Sequence, residues 1–156
     1  MKKTLFGLLA LGAVSSAGAD SVGGHIGTTS GVHYQTDLTA DSAVRYGLNL
    51  SSTRLFRGEF GVGGEVAYLR EASGQNFGGL TPYYGFGLGV GAAVGSRIGV
   101  SAYPHVLGGL NYAVAGGPFS VFVEGNVGPT ISVATSGSGI DLLNGGVRLG
   151  LNYEFR

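Results

Sequence analysis

The chain has 156 residues, a length that fits one domain. Charged residues are only 12% of it, against ~25% in an ordinary soluble domain, and 32 residues are glycine, roughly three times the usual ~7% share. There is no cysteine, which excludes a disulfide frame and a lipid-modified cysteine, and a formal net charge of zero excludes the basic face that nucleic acid requires.

The first segment is a leader. Met1-Lys2-Lys3 is a basic start, Leu5 to Val14 is an apolar run, and Ala17-Gly18-Ala19 supplies small residues where a signal peptidase reads. The run is too short for a membrane helix of ~20 residues. Residues 1–19 are therefore expected to be a signal peptide cut before Asp20, with a single domain over 20–156. Both lysines leave with the leader. Seven arginines and nine acidic residues remain, a net of 7 − 9 = −2.

Period two governs nearly all of the remaining chain. Ile26, Thr28, Val32, Tyr34 and Leu38 alternate with His25, His33, Gln35 and Asp37 over Gly24 to Leu38. After the turn Thr39-Ala40-Asp41-Ser42, the residues Val44, Tyr46, Leu48 and Leu50 face away from Arg45, Gly47 and Asn49. Phe60, Val62, Val66 and Tyr68 face away from Glu59, Gly61, Gly63 and Glu65. A loop over Glu71 to Gly79 leads to Tyr84, Phe86, Leu88, Val90, Ala92 and Val94, whose alternates Gly85, Gly87, Gly89 and Gly91 carry no side chain. Beyond Gly95-Ser96-Arg97, an apolar even face runs from Ile98 to Val114, opposite Ser101, Tyr103, His105 and Asn111. After Ala115-Gly116-Gly117-Pro118, Val121, Val123 and Val127 alternate with Phe122, Glu124 and Asn126. A second long loop is expected over Ala134 to Asp141. The chain ends RLGLNYEFR, with Leu149, Leu151, Tyr153 and Phe155 on one face and Arg148, Gly150, Asn152 and Glu154 on the other.

Seven strands are plain, each longer than the ~5–6 residues of soluble sheets and long enough for the 9–11 residues with which a tilted strand crosses a bilayer. Single-chain barrels of bacterial membranes have an even number of strands. The pattern therefore predicts an all-β, up-and-down antiparallel transmembrane barrel of about eight strands; splitting Gly24 to Leu38 at Ser30-Gly31 would supply the eighth, although the even-face phase runs straight through that point and argues for one strand there. A soluble barrel points its apolar face inward. Here the second face would then meet water with no charge at all along Gly85 to Gly91, so the apolar face is assigned to lipid. Tyr34, Tyr46, Tyr112, Phe119, Tyr153 and Phe155 fall at one rim, where aromatic rings suit a membrane interface.

The final strand resembles the terminal β-signal of Gram-negative-type outer-membrane proteins: Arg148, Gly150, Tyr153 and Phe155 stand at its polar, glycine and hydrophobic positions. Arg156 follows where an aromatic usually ends the pattern. The resemblance to the small outer-membrane β-barrel proteins of diderm bacteria implies that the barrel-assembly machinery reads this strand, which then closes the barrel against the first.

The expected interior polar network is Arg45, Glu59, Glu65, His105, Glu124, Arg148 and Glu154. His33, Ser101 and Glu124 supply the residue types of a base, a nucleophile and an orienter, but no local motif ties them, and a narrow barrel needs paired charges to fill it. His25 and His33, eight residues apart on one strand, would be ~26 Å apart at 3.3 Å per residue and share no metal ion. No phosphate loop is present, because Gly85 to Gly89 lies within a strand. No cofactor, metal or nucleic acid is expected. Outer-membrane lipids are the expected partners, with the assembly machinery and other envelope proteins. The expected role is structural or envelope-integrity and non-catalytic. The alternatives are a narrow channel, a lipid-modifying enzyme and a soluble periplasmic ligand-binding barrel.

Overall fold

A computed structural model describes residues 19–51, 60–72, 74–75, 77–94, 98–135 and 137–155. Residues 1–18 of the expected leader, and Glu59, lie outside them. Eight strands follow in order: β1 Asp20–Gly27, β2 Thr29–Thr39, β3 Ser42–Ser51, β4 Phe60–Glu71, β5 Leu80–Val94, β6 Gly99–Ala113, β7 Phe119–Ala134 and β8 Gly137–Phe155. Each pairs antiparallel with the next, and β1 pairs with β8, so the sheet is an up-and-down closed barrel.

The alternation sets the two faces. Val32, Leu48, Val66, Phe86, Val90, Val106 and Leu149 are exposed on the outside, whereas His25, Arg45, His105, Glu124 and Arg148 are buried within. A soluble barrel has the reverse polarity; an apolar outer wall and a polar interior suit a membrane. Aromatic rings lie on the wall, with Tyr68 against Phe86 at 5.5 Å and Phe119 against Tyr153 at 5.3 Å between centroids.

Two joints differ from the sequence expectation. The first strand pair divides at Thr28, not at Ser30-Gly31. The pairing His25↔Gly31 leaves five residues between the partners. An odd number keeps even residues outward on both strands, so the alternation carries no trace of the turn. The expected loop from Ala134 to Asp141 is instead a tight hairpin: Ala134 pairs with Gly137, and β8 already includes Asp141. Its glycine and serine residues signal a loop by composition, but the ladder extends through them.

The β7–β8 register shifts at Pro129, where Leu142 and Leu143 together oppose it. Both leucines are 79% exposed. The β6–β7 register likewise sets Pro104 opposite Pro129, inside a break in the pairing between Ala102↔Ile131 and Val106↔Val127. Proline has no N–H to give a ladder, so two facing prolines account for the break. Next to them the backbones approach closely at Gly128, where a Cβ would overlap the Pro104 carbonyl oxygen and come within 2.7 Å of His105 Cα.

At the rim that carries the chain's C-terminus, β2–β3 and β6–β7 are joined by short turns, and β4–β5 by the longer connection expected between Glu71 and Leu80. In the β2–β3 turn, Thr39 Oγ1 donates to Asp41 Oδ1 at 2.7 Å, and Arg70 reaches Asp41 Oδ2 at 3.2 Å. The Thr39 hydroxyl bond, aided by the Arg70 charge, holds the Asp41 carboxyl below its usual range.

Gly128→Ala is expected to destabilise the barrel by about 1–3 kcal/mol, the usual cost of overpacking. Gly64→Ala, whose Cβ meets nothing closer than the Gly47 carbonyl oxygen at 3.8 Å, is expected to change stability by less than about 0.5 kcal/mol. Urea unfolding in detergent or lipid, read by gel mobility, separates the two; equal effects would contradict the close approach at Gly128.

Candidate functional site: a charged partition in the lumen

Four charged side chains from four strands meet inside the barrel: Arg45 on β3, Glu65 on β4, Glu124 on β7 and Arg148 on β8. Alternation makes each an inward residue, and the closed circle brings them across the lumen to one another. Glu124 is the centre. Its Oε2 accepts from Arg45 Nη1 at 2.8 Å and from the Tyr83 hydroxyl at 2.9 Å. Its Oε1 accepts from Arg148 Nε at 2.6 Å. Arg148 continues to Glu65, with Nη2 donating to Oε1 at 2.8 Å and Nη1 to Oε2 at 3.2 Å.

Two arginines and two glutamates leave the cluster with no net charge, and each is matched by ionic hydrogen bonds. That balance is what buried charge requires. Phe122 supplies a platform, with the Arg45 guanidinium carbon 5.0 Å from its ring centroid. The Phe122 ring in turn lies over Gly150, where a Cβ would collide with it. Gly150 therefore serves the packing of the lumen as well as occupying the glycine position of the terminal-strand pattern.

The expected network divides. Arg45, Glu65, Glu124 and Arg148 meet. His105 lies at the edge, its Nε2 4.0 Å from Glu65 Oε2 and its ring stacked on Tyr103 at 4.7 Å. Glu154 stays apart: it is exposed at the rim, one strand position before Phe155. Glu59 lies outside the described residues. Sequence reasoning missed Tyr83 and Phe122, although both occupy inward positions by alternation.

The histidines also differ from expectation. Because the turn falls at Thr28, His25 and His33 sit on adjacent strands, and their rings stack at 5.7 Å instead of standing ~26 Å apart. His33 Nε2 is 2.7 Å from Asn152 Oδ1. Among the described residues, no group of three or more His, Cys, Asp or Glu side chains is arranged to hold a metal. Nor do His33, Ser101 and Glu124 form a relay: His33 is engaged with Asn152, Glu124 with two arginines and Tyr83, and Ser101 lines a cavity beyond the cluster.

The cluster lies between two cavities of the lumen. A cavity of about 890 Å³ reaches from it toward the β7–β8 hairpin end, with Glu65 and Arg148 in its wall. A smaller one of about 90 Å³ lies toward the termini, walled in part by Arg45, Tyr83 and Phe122.

No protein-family model and no curated protein sequence matches the chain. Among solved structures, the N-terminal β-barrel domain of Pseudomonas aeruginosa OprF aligns with a TM-score of 0.57 at 16% identity, over 88% of this chain and 96% of that one. A major outer membrane protein from Thermus thermophilus aligns at 15% identity with a TM-score of 0.47, over 90% of this chain and 100% of that one. At 16% identity the likeness to the first is one of fold. The fold is thus that of an eight-stranded outer-membrane barrel, here with a cluster of four charged side chains in its lumen.

Glu124→Ala removes the carboxylate of buried Arg45 and leaves Arg148 with Glu65 alone, and is expected to cost about 3–5 kcal/mol of stability. Glu154→Ala at the exposed rim is expected to cost less than about 0.5 kcal/mol. Denaturant titration of both variants checks the division; similar losses would place Glu154 in the network after all.

Proposed function

We propose that this protein is a non-catalytic, structural barrel of the outer membrane whose lumen is held closed, and that it contributes to envelope integrity. The observation that carries the reading is the Arg45–Glu124–Arg148–Glu65 chain, which ties β3, β4, β7 and β8 together across the lumen. An eight-stranded interior is filled by side chains instead of leaving a passage, and a fully bonded, neutral cluster offers an ion no free charge to follow. The outward apolar wall and the fold of outer-membrane barrels support the location.

The same reading includes a leader over residues 1–19, removed on export, and a terminal strand recognised by the barrel-assembly machinery through Arg148, Gly150, Tyr153 and Phe155. Outer-membrane lipids contact the wall, and other envelope proteins are further partners.

The protein reconstituted in planar bilayers is expected to give no steady conductance. A stable open level in the unmodified protein would overturn the closed-lumen reading in favour of a channel. Loss of the protein from its host is expected to raise sensitivity to detergent; unchanged sensitivity would count against the envelope role. Phe155→Ala is expected to lower the amount assembled in the outer membrane several-fold while leaving the stability of the refolded barrel within about 1 kcal/mol of the original. Equal loss in both measurements would make Phe155 a packing residue only.

A further inference from the structure

His25 on β1 and His33 on β2 take no part in the arginine–glutamate cluster, yet they lie beside it. The ladder pairs His25 with Gly31 and His33 with Gly23, so the two imidazoles are diagonal neighbours across one strand pair. Their rings stack at 5.7 Å between centroids, and each residue is 5% exposed. The Phe122 ring stands edge-on to His33 at 5.6 Å. The charges that act on the pair are those of Arg45, Glu65, Glu124 and Arg148.

The bonds around the pair suit neutral rings. Asn152 Nδ2 donates to Ser120 Oγ at 3.4 Å, which turns Oδ1 toward His33 Nε2 at 2.7 Å. That Nε2 therefore carries a hydrogen, and in a neutral ring Nδ1 is bare. Neither His33 Nδ1 nor either ring nitrogen of His25 has a hydrogen-bond partner among the described residues. A protonated imidazole needs acceptors for two N–H groups. The nearby carboxylates are already engaged: Glu124 receives Arg45, Tyr83 and Arg148, and Glu65 receives both Nη atoms of Arg148.

Acid acts on this arrangement with a definite sign. A buried neutral histidine must take up charge as the pH falls. The first proton places a positive charge beside Arg45 on β3 and Arg148 on β8. A second places like charges on rings 5.7 Å apart, across adjacent strands whose pairing like charges oppose. Glu65 on β4 and Glu124 on β7 are matched one for one by the two arginines, so the added charge meets no free carboxylate in the cluster. Movement of Arg45 or Arg148 away from the pair relieves it, and that movement breaks the ion pairs that close the lumen. Asn152 also walls the smaller cavity, which puts the pair one side chain away from that space.

We infer that the stacked His25–His33 pair is an acid-operated latch on the lumen. Neutral rings pack beside the Arg45–Glu124–Arg148–Glu65 chain and leave it closed. Protonated rings repel Arg45 and Arg148 and release it, so that the barrel passes small ions in acid. The inference rests on the closed-lumen reading, which it takes as the state at neutral pH, and adds the condition under which the closure gives way.

The test uses the protein purified from membranes in detergent and inserted into planar bilayers in potassium chloride. The pH is taken from about 7.5 to about 4 and back, across the range in which imidazole titrates. The expected result is no steady level at the neutral end and a reversible one at the acid end, at least about tenfold above baseline, since each unit of differential proton affinity shifts a population about tenfold. The double variant His25→Gln, His33→Gln keeps an amide at each position but no titrating ring, and is expected to stay closed throughout. His25→Gln alone, which leaves the His33–Asn152 bond, is expected to lose most of the response. His105→Gln on β6 is expected to keep it. Heat-dependent gel mobility at both ends of the pH range checks that each variant is folded. A lumen closed at both ends overturns the latch and leaves the closed-lumen reading intact. A steady level already present at neutral pH overturns both. Acid opening that persists undiminished in a folded variant of the pair, or vanishes in folded His105→Gln, assigns the response to other groups and overturns the latch.

Discussion

The seam between the first and last strands is the contact on which the rest of the barrel depends. Eight residue pairs, from Asp20↔Phe155 to Gly27↔Arg148, join β1 to β8. In hydrocarbon no water satisfies a free strand edge, so only a closed sheet is viable there. The seam also fixes the interior, because it holds β8 in register. Arg148, near the upper end of that seam, can then reach Glu124 on the neighbouring strand and Glu65 across the lumen. The terminal strand is thus ordered almost to its last residue for a structural reason, independent of any part it plays during assembly.

Closure and interior charge support each other. An eight-stranded circle is narrow enough for side chains from opposite walls to meet. That narrowness makes a neutral cluster of two arginines and two glutamates favourable, where one unmatched member would be costly. The Phe122 ring over Gly150 and the Tyr83 hydroxyl on Glu124 complete the same layer. Above it the walls turn to glycine and small polar residues, and space appears. One barrel therefore contains a packed partition and an open cavity, and the change between them follows from side-chain size along β4 and β5.

The faces of the barrel were legible in the sequence because alternation reports which side a residue takes. Arg45, Glu65, Glu124 and Arg148 were all recognisable as inward residues on that ground. Depth was not legible: period two cannot distinguish Glu154 at the rim from Glu124 at the centre. The turn at Thr28 was hidden because a five-residue connection preserves the phase, and that one omission moved His25 and His33 from adjacent strands to opposite ends of a single imagined one. The β7–β8 hairpin was obscured by its glycine and serine content, which describes a loop equally well. Tyr83 and Phe122 gave a signal, since each is an aromatic at an inward position, but their relation to Arg45 depends on strand register.

The role proposed for the barrel requires its apolar wall to face lipid. Cell fractionation followed by gel electrophoresis of boiled and unboiled membranes tests that most directly. A lipid-facing wall predicts the protein in the outer-membrane fraction, with an unboiled band that migrates differently from the boiled one because the closed sheet resists detergent. A protein recovered free in the periplasm, with identical mobility before and after boiling, would contradict it.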